Sequence, residues 1–215
     1  MAANPRLPAR QATERLHMTV EEYLAFEAIS HEKHEYVHGW VYPVFPVSAL
    51  DGMAGGTNNH AVLTQNVGRL LGNAVEESPC IVYSPDARLQ IDADIYRYPD
   101  VALSCDPRDL AAGEEKRIYY PTALVEVLSD STEEVDRGDK LREYRALPSV
   151  QEYLLVSQDT RLVEHYHRVG DLWTYGAYGP GETIVLESLG ADVELAVDRI
   201  YAKVRLPGDR DDTSP

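Results

Sequence analysis

The run Ala-Leu-Val-Glu-Val-Leu over residues 123–128 constrains the fold more than any other segment. It is nearly continuous in apolar residues and reads as a central strand. Further short β-type segments precede it at 81–84, 87–91 and 101–104, and four more follow at 152–156, 162–167, 172–175 and 193–197. Between them lie helical periodicities. Thr19 with Glu22 forms a capping box, and Val20, Tyr23, Leu24 and Ala28 share a face, which predicts a helix ending near His31. Leu63, Val67, Leu70, Leu71 and Ala74 predict a long helix over 60–77. Leu141, Tyr144, Arg145 and Leu147 predict another that stops before Pro148, behind an imperfect capping box at Thr132 and Asp136. Residues 36–47, around a His38-Gly39 turn, read as a hairpin or bent strand, and 50–59 as a glycine-rich loop. The pattern predicts one α/β domain over 18–204, a mixed sheet flanked by helices, between an N-terminal tail (1–17) and an acidic C-terminal tail (205–215).

Composition narrows the function. A chain of 215 residues with 44% hydrophobic side chains can bury a core without metals or disulfides. No stretch reaches the roughly 20 apolar residues of a membrane span, and the first fifteen residues carry no apolar signal-like core, so a cytoplasmic protein without membrane partners is expected. Cys80 and Cys105 form no C-x-x-C pair and read as small buried thiols. With 36 acidic against 20 basic side chains the formal net charge is −16, which argues against charge-driven, non-specific binding to nucleic acid.

Two carboxylates interrupt β-type segments. Asp100 follows Tyr98-Pro99 and opens the segment 101–104, and Glu126 sits inside the apolar run. An ionised carboxylate inside an apolar run, as at Glu126, is costly unless paired or bound to a cation, whereas Asp100 in a Pro-Asp dipeptide alone reads as a turn residue. Two readings fit: a divalent metal held by carboxylates from two strands, or a buried ion pair of Glu126 with Arg88 or Arg145. Lys140, at the start of the following helix, is a cation that could hold an attacking water or stabilise a transition state. It could equally form a surface pair with Asp136 four residues earlier.

The segments YPDVALS, PTALVEVLSDSTEEVDRGDKLREYRALPSVQEYLLV and HEYVHGWVY resemble the Uma2 family of the PD-(D/E)xK nuclease superfamily, over residues 18 to about 197. The resemblance implies a restriction-endonuclease-like core and a metal site at the strand ends. It implies that Asp100 and Glu126 ligate Mg2+ or Mn2+, that the Val127 carbonyl lends a further ligand, and that Glu35 is the upstream acidic residue. The superfamily pattern expects a lysine two residues after Glu126, where Leu128 stands. In Uma2-like sequences a lysine on the next helix takes its place, and Lys140 matches it. His60, at the start of the long helix, could approach the site or serve as a capping or solvent residue.

Other motifs carry less. His31, His34 and His38 have a spacing that would suit zinc on one helix, but the helix-to-strand change near Tyr36 should make the rings diverge. His165 and His167 share a strand face and read as surface residues rather than ligands. Gly55-Gly56 lacks the rest of a phosphate-binding loop, and no G-x-S-x-G elbow is present. Three functions are therefore expected in order: a metal-dependent nuclease acting on nucleic acid, DNA first; a non-catalytic module of the same fold, a homodimer through exposed strands and tyrosines; and a metal-dependent hydrolase of small nucleotides. A nuclease would need a local basic groove, for example Arg69, Arg88, Arg97 and Lys116.

Overall fold

The computed structural model describes residues 16–44, 57–111, 117–189, 193–206 and 209. The N-terminal tail before Leu16, the glycine-rich loop up to Gly56, Lys116 and most of the C-terminal tail lie outside the described residues. In chain order the elements are β1 (Leu16–His17), α1 (Val20–Ile29), β2 (His34–Val37), β3 (Trp40–Pro43), α2 (Asn58–Ala74), β4 (Ile81–Tyr83), β5 (Arg88–Asp92), β6 (Ile95–Arg97) and β7 (Val101–Ser104). There follow α3 (Pro107–Leu110), β8 (Arg117–Ile118), β9 (Ala123–Leu128), α4 (Glu133–Val135), a π-helical turn (Asp136–Lys140), α5 (Leu141–Ala146), β10 (Glu152–Ser157), β11 (Val163–Val169) and β12 (Leu172–Tyr178). The chain continues through β13 (Thr183–Val185), a 3-10 turn (Glu187–Leu189), β14 (Glu194–Ala196) and α6 (Val197–Ile200).

Two six-stranded mixed sheets result, where the sequence suggested one. The first runs β1-β3-β2-β6-β5-β8 and the second β12-β11-β10-β9-β7-β4. In the second, β9 is central as expected, pairing parallel with β10 and antiparallel with β7, and all six of its residues are buried. Alternation along β9 divides the interior. Ala123, Val125 and Val127 pack under α2 with Leu63, Val67 and Leu71, while Leu124 and Leu128 pack with Tyr144, Tyr153 and Leu155 on the other face. A third apolar cluster, Tyr23, Tyr36, Val41 and Tyr96, seats α1 on the first sheet.

Local chemistry explains several boundaries. The Thr19 hydroxyl accepts the Glu22 N–H at 3.2 Å while the Glu22 carboxylate accepts the Thr19 N–H at 2.8 Å, the reciprocal cap that starts α1. The β2–β3 hairpin turns on His38 and Gly39, both with positive φ (49° and 91°), the conformation of a tight two-residue turn. A Cβ at Gly39 would stand 2.6 Å from the His17 ring. Residues 16 and 17 are therefore not tail: they form β1 and pair with Val41 and Trp40. The segment expected as a strand over 193–197 shortens to β14, because Val197 opens α6.

The cysteines correct another expectation. They are not free thiols: Cys80 and Cys105 form a disulfide. β4 pairs antiparallel with β7, matching Ile81 to Ser104, so the residues just outside that pair face one another, with Cα atoms 4.1 Å apart. Only the strand register reveals this. Closing a loop of 25 residues restricts the unfolded chain, and reduction is expected to lower stability by roughly 3 kcal/mol. Urea unfolding with and without a thiol reductant measures it; coincident midpoints would refute the claim. Among the described residues no helix is long and apolar enough to cross a membrane.

Candidate active site

Asp100 and Glu126 meet because β7 and β9 are antiparallel neighbours with Val101 opposite Val125. The residue before β7 then lies beside the fourth residue of β9. The register closes on a hydrogen bond: the Val127 N–H donates to Asp100 Oδ2 at 2.7 Å. His60, on the first turn of α2, brings Nε2 to 3.2 Å from the same oxygen. Its helix start is set by Thr57, whose hydroxyl accepts the His60 N–H. Burial disfavours the His60 imidazolium, yet the hydrogen bond and charge of Asp100, with the charge of Asp136, outweigh it and raise its pKa. His60 is thus brought into the cluster.

The opposite wall comes from the irregular helix after β9. Thr132 makes no side-chain cap, and after one short turn the backbone widens into the π-helical turn at Asp136–Lys140. Such an inserted residue re-aims side chains and is frequent at functional sites. Here it turns both Asp136 and Lys140 inward, 1% and 4% exposed. They do pair, at 2.9 Å, but inside the protein rather than on its surface. Lys140 Nζ also lies 3.0 Å from Glu126 Oε1 and 3.5 Å from Glu35 Oε1. Tyr144, one turn on, donates its hydroxyl to Glu126 Oε1 at 2.7 Å, and Tyr153 donates to the Asp136 carbonyl at 3.0 Å.

The first sheet contributes Glu35 on β2 and Arg97 on β6. Arg97 holds Glu143 through two bonds of 2.8 Å and Glu35 through a third, all within the interior. Arg97 therefore cannot line a basic groove. Of the other groove candidates, Arg88 lies over the rings of Tyr23 and Tyr96, and Arg69 is exposed on α2. Neither Arg88 nor Arg145 pairs with Glu126; Lys140 and Tyr144 do.

Electrostatics set the character of the site. Five buried carboxylates, Glu35, Asp100, Glu126, Asp136 and Glu143, face two permanent cations, Arg97 and Lys140. Burial, together with repulsion from Asp136 and Asp100, holds the Glu126 carboxyl well above the ordinary carboxylate range despite the Lys140 ammonium. Burial opposes the Lys140 charge, but Asp136, Glu126 and Glu35 overcome it and hold Lys140 charged. The cluster is anionic in excess, and its donors are oxygens with one imidazole. That is the donor set of a hard divalent cation, which takes one or two protein carboxylates and completes its shell with water or substrate.

The sequence pointed to Asp100, Glu126, Lys140, Glu35 and His60, and the fold brings all five together. It did not point to Glu143 or Tyr144, and it offered Arg97 only for a basic groove. A strand-borne arginine and a helix tyrosine look like ordinary surface and core residues until the two sheets meet. The histidines 34 and 38 diverge as expected, to Glu27 and Asp94.

Comparison with known proteins shows the family of the chain. A family model named Uma2 and described as "Putative restriction endonuclease" matches residues 20–198. The chain belongs to the Uma2 family. Two similar proteins come from Synechocystis sp. (strain ATCC 27184 / PCC 6803 / Kazusa). The uncharacterized protein slr1290 is 38% identical over 86% of this chain and 91% of its own length, and the uncharacterized protein sll1609 is 34% identical over 72% and 82%. A crystal structure from Anabaena variabilis ATCC 29413, titled a "putative nuclease belonging to DUF820", superposes with a TM-score of 0.67 at 15% identity, covering 86% of this chain and 97% of that one. At that identity the likeness supports the fold of this Uma2 protein alone.

Proposed function

We propose that this Uma2 protein is a metal-dependent nuclease that hydrolyses phosphodiester bonds, with DNA as the first substrate to test and Mg2+ or Mn2+ as the cation. The observation that carries the reading is Lys140 Nζ, 3.0 Å from Glu126 in a buried, anionic cluster that also holds Asp100. A lysine directed to solvent would have favoured a non-catalytic module.

Asp100 and Glu126 would hold the cation. In an extended strand the N–H and C=O of one residue point to the same edge, so the Val127 carbonyl joins its N–H on the Asp100 side. When bound, the cation would activate water and offset charge on the phosphate. The chain's own groups do the rest. The Val127 N–H fixes the Asp100 carboxylate, and Tyr144 fixes that of Glu126. Lys140 donates to the attacking water or to a phosphate oxygen, which favours the charge developing in the transition state. Asp136 and Glu35 hold the lysine in place, and Arg97 anchors Glu35. His60, hydrogen-bonded to Asp100, is positioned to pass a proton to or from solvent.

The test incubates the protein with Mg2+ or Mn2+ and a plasmid, a single-stranded oligonucleotide, a structured RNA and a set of nucleotides, beside Glu126→Ala. Metal-dependent cleavage of a polymer that the variant lacks is the expected result. Turnover of nucleotides alone would move the reading to a small-molecule hydrolase. Intact substrates throughout, with equal metal affinity in both proteins, would remove the catalytic reading.

A further inference from the structure

On the other face of the second sheet lies a separate group of metal-ligating side chains. Register places it there. Glu152 opens β10 opposite Ala123 of β9 and His167 of β11, and His165 stands opposite Leu154 and in line with Val125. Glu126 is in line with Leu155 and Glu164, one residue out of phase, so its side chain leaves the opposite face. His165 and His167, expected on the surface, are 6% exposed and half-buried respectively, and Glu152 is fully buried.

Their donor atoms converge. His165 Nε2 lies 2.6 Å and His167 Nδ1 3.0 Å from the same oxygen, Glu152 Oε2. Among the described residues this is the one group of three His, Cys or acidic side chains whose ligand atoms all lie within 4.8 Å of one another. No lysine or arginine forms an ion pair with Glu152 among the described residues. Its second oxygen, Oε1, accepts the Ser188 N–H at 3.1 Å, leaving Oε2 to the imidazoles.

We propose that Glu152, His165 and His167 form a binding site for a divalent cation of the zinc class. Two imidazole nitrogens and one carboxylate oxygen are the donor set that borderline cations prefer and that Mg2+ does not. A tetrahedral zinc ion with bonds of 2.0–2.2 Å separates its ligands by about 3.3–3.6 Å, so the Glu152 contacts to His165 and His167, now 2.6 and 3.0 Å, would open by roughly 0.3–1 Å. Water completes the shell. The far nitrogen of His167 faces Glu187 Oε2 at 3.7 Å, and a carboxylate behind a ligating histidine orients the ring and raises its basicity. The ion would replace the hydrogen bonds that now join β10 to β11, and Ser188 would tie the turn Glu187–Leu189 to the same centre. The role is a clamp on the second sheet, independent of the cluster around Glu126.

The two rings would ligate through opposite nitrogens, which gives a specific readout. In nitrogen-15 NMR of the imidazoles, Zn2+ is expected to shift His165 Nε2 and His167 Nδ1 together as one site fills. The same response is expected in Glu126→Gln, and none from Mg2+. By calorimetry His167→Ala is expected to weaken this Zn2+ event by at least about 100-fold, and Glu152→Gln likewise. His167 is half-buried at the sheet rim, so its variant should fold even if Glu152→Gln does not. Unmoved imidazole signals with Zn2+ in excess, unchanged affinity in folded His167→Ala, or loss of the event in Glu126→Gln would overturn the proposal.

Discussion

Glu126→Gln is expected to leave a folded protein that binds Mn2+ at least about 100-fold more weakly and cleaves at least about 1,000-fold more slowly, while its stability becomes less sensitive to pH. The last effect follows from the sign of the Glu126 shift. Its carboxyl is held well above the ordinary glutamate value of 4.5, first by burial and then by Asp136 and Asp100. Between that value and the higher native one, the folded protein binds a proton that the unfolded chain has released. The stability gained is therefore full below the ordinary value and is lost as pH rises through the native one, at up to about 1.4 kcal/mol per pH unit. Glutamine keeps the shape, accepts the Tyr144 hydroxyl and does not titrate, so that slope disappears. The same proton competes with the cation, and wild-type affinity is expected to rise by up to about tenfold per pH unit over the same window. Urea unfolding of metal-free wild type and variant at a series of pH values, with calorimetry beside it, measures both. Parallel stability curves would mean that Glu126 is already ionised in the folded protein.

What made the site legible was the cost of burying charge. Glu126 interrupts an apolar strand, so it demanded a partner before any partner was known, and its presence raised Asp100 above the turn residue that Pro-Asp alone suggests. Glu35 carried no such signal and was singled out by resemblance; for Lys140 residue chemistry left a catalytic and a surface reading open, and the resemblance favoured the first. The π-helical turn explains why: helical spacing places Asp136 and Lys140 as an exposed pair, and one inserted residue turns that pair inside. The strand and helix periods also revealed β9 and α2, because each has a clear apolar face or run, whereas α1 was marked by its capping box and buries only Tyr23. They could not divide the strands between two sheets, nor set the register that joins Cys80 to Cys105 or Glu152 to two histidines. Register depends on contacts between segments far apart in the chain.

The net charge of −16 counted against a nucleic-acid substrate, and the fold removes one arginine from the basic groove that might have offset it, since Arg97 is committed to two carboxylates. A small part of the acidity is nevertheless internal. Glu35, Glu126, Asp136 and Glu143 are buried against Lys140 and Arg97, so they contribute less to the field a polymer meets than a surface count implies. Cations held at the site would lower that field further, which couples substrate affinity to metal loading.

Arg97→Met tests how the two sheets are held at the site. The guanidinium makes two bonds to Glu143 and one to Glu35, all of 2.8 Å, and is 4% exposed. Glu35 keeps Lys140 at 3.5 Å when Arg97 is lost, whereas Glu143 loses both bonds that Arg97 provides. Removing one partner of a buried ion pair leaves the other charge uncompensated, at a cost of about 3–5 kcal/mol. For a chain of this size that corresponds to a fall in Tm of roughly 6–20 °C. Because the cost lies in the stranded carboxylate rather than in a strong attraction, Arg97→Met with Glu143→Leu is expected to recover a large share of the loss, since an apolar replacement of a buried pair is often near neutral. A thermal-unfolding double-mutant cycle reads this directly. Additive losses in the double variant would show that Arg97 stabilises the junction through packing of its own stem, and that the buried charges there are balanced by other groups.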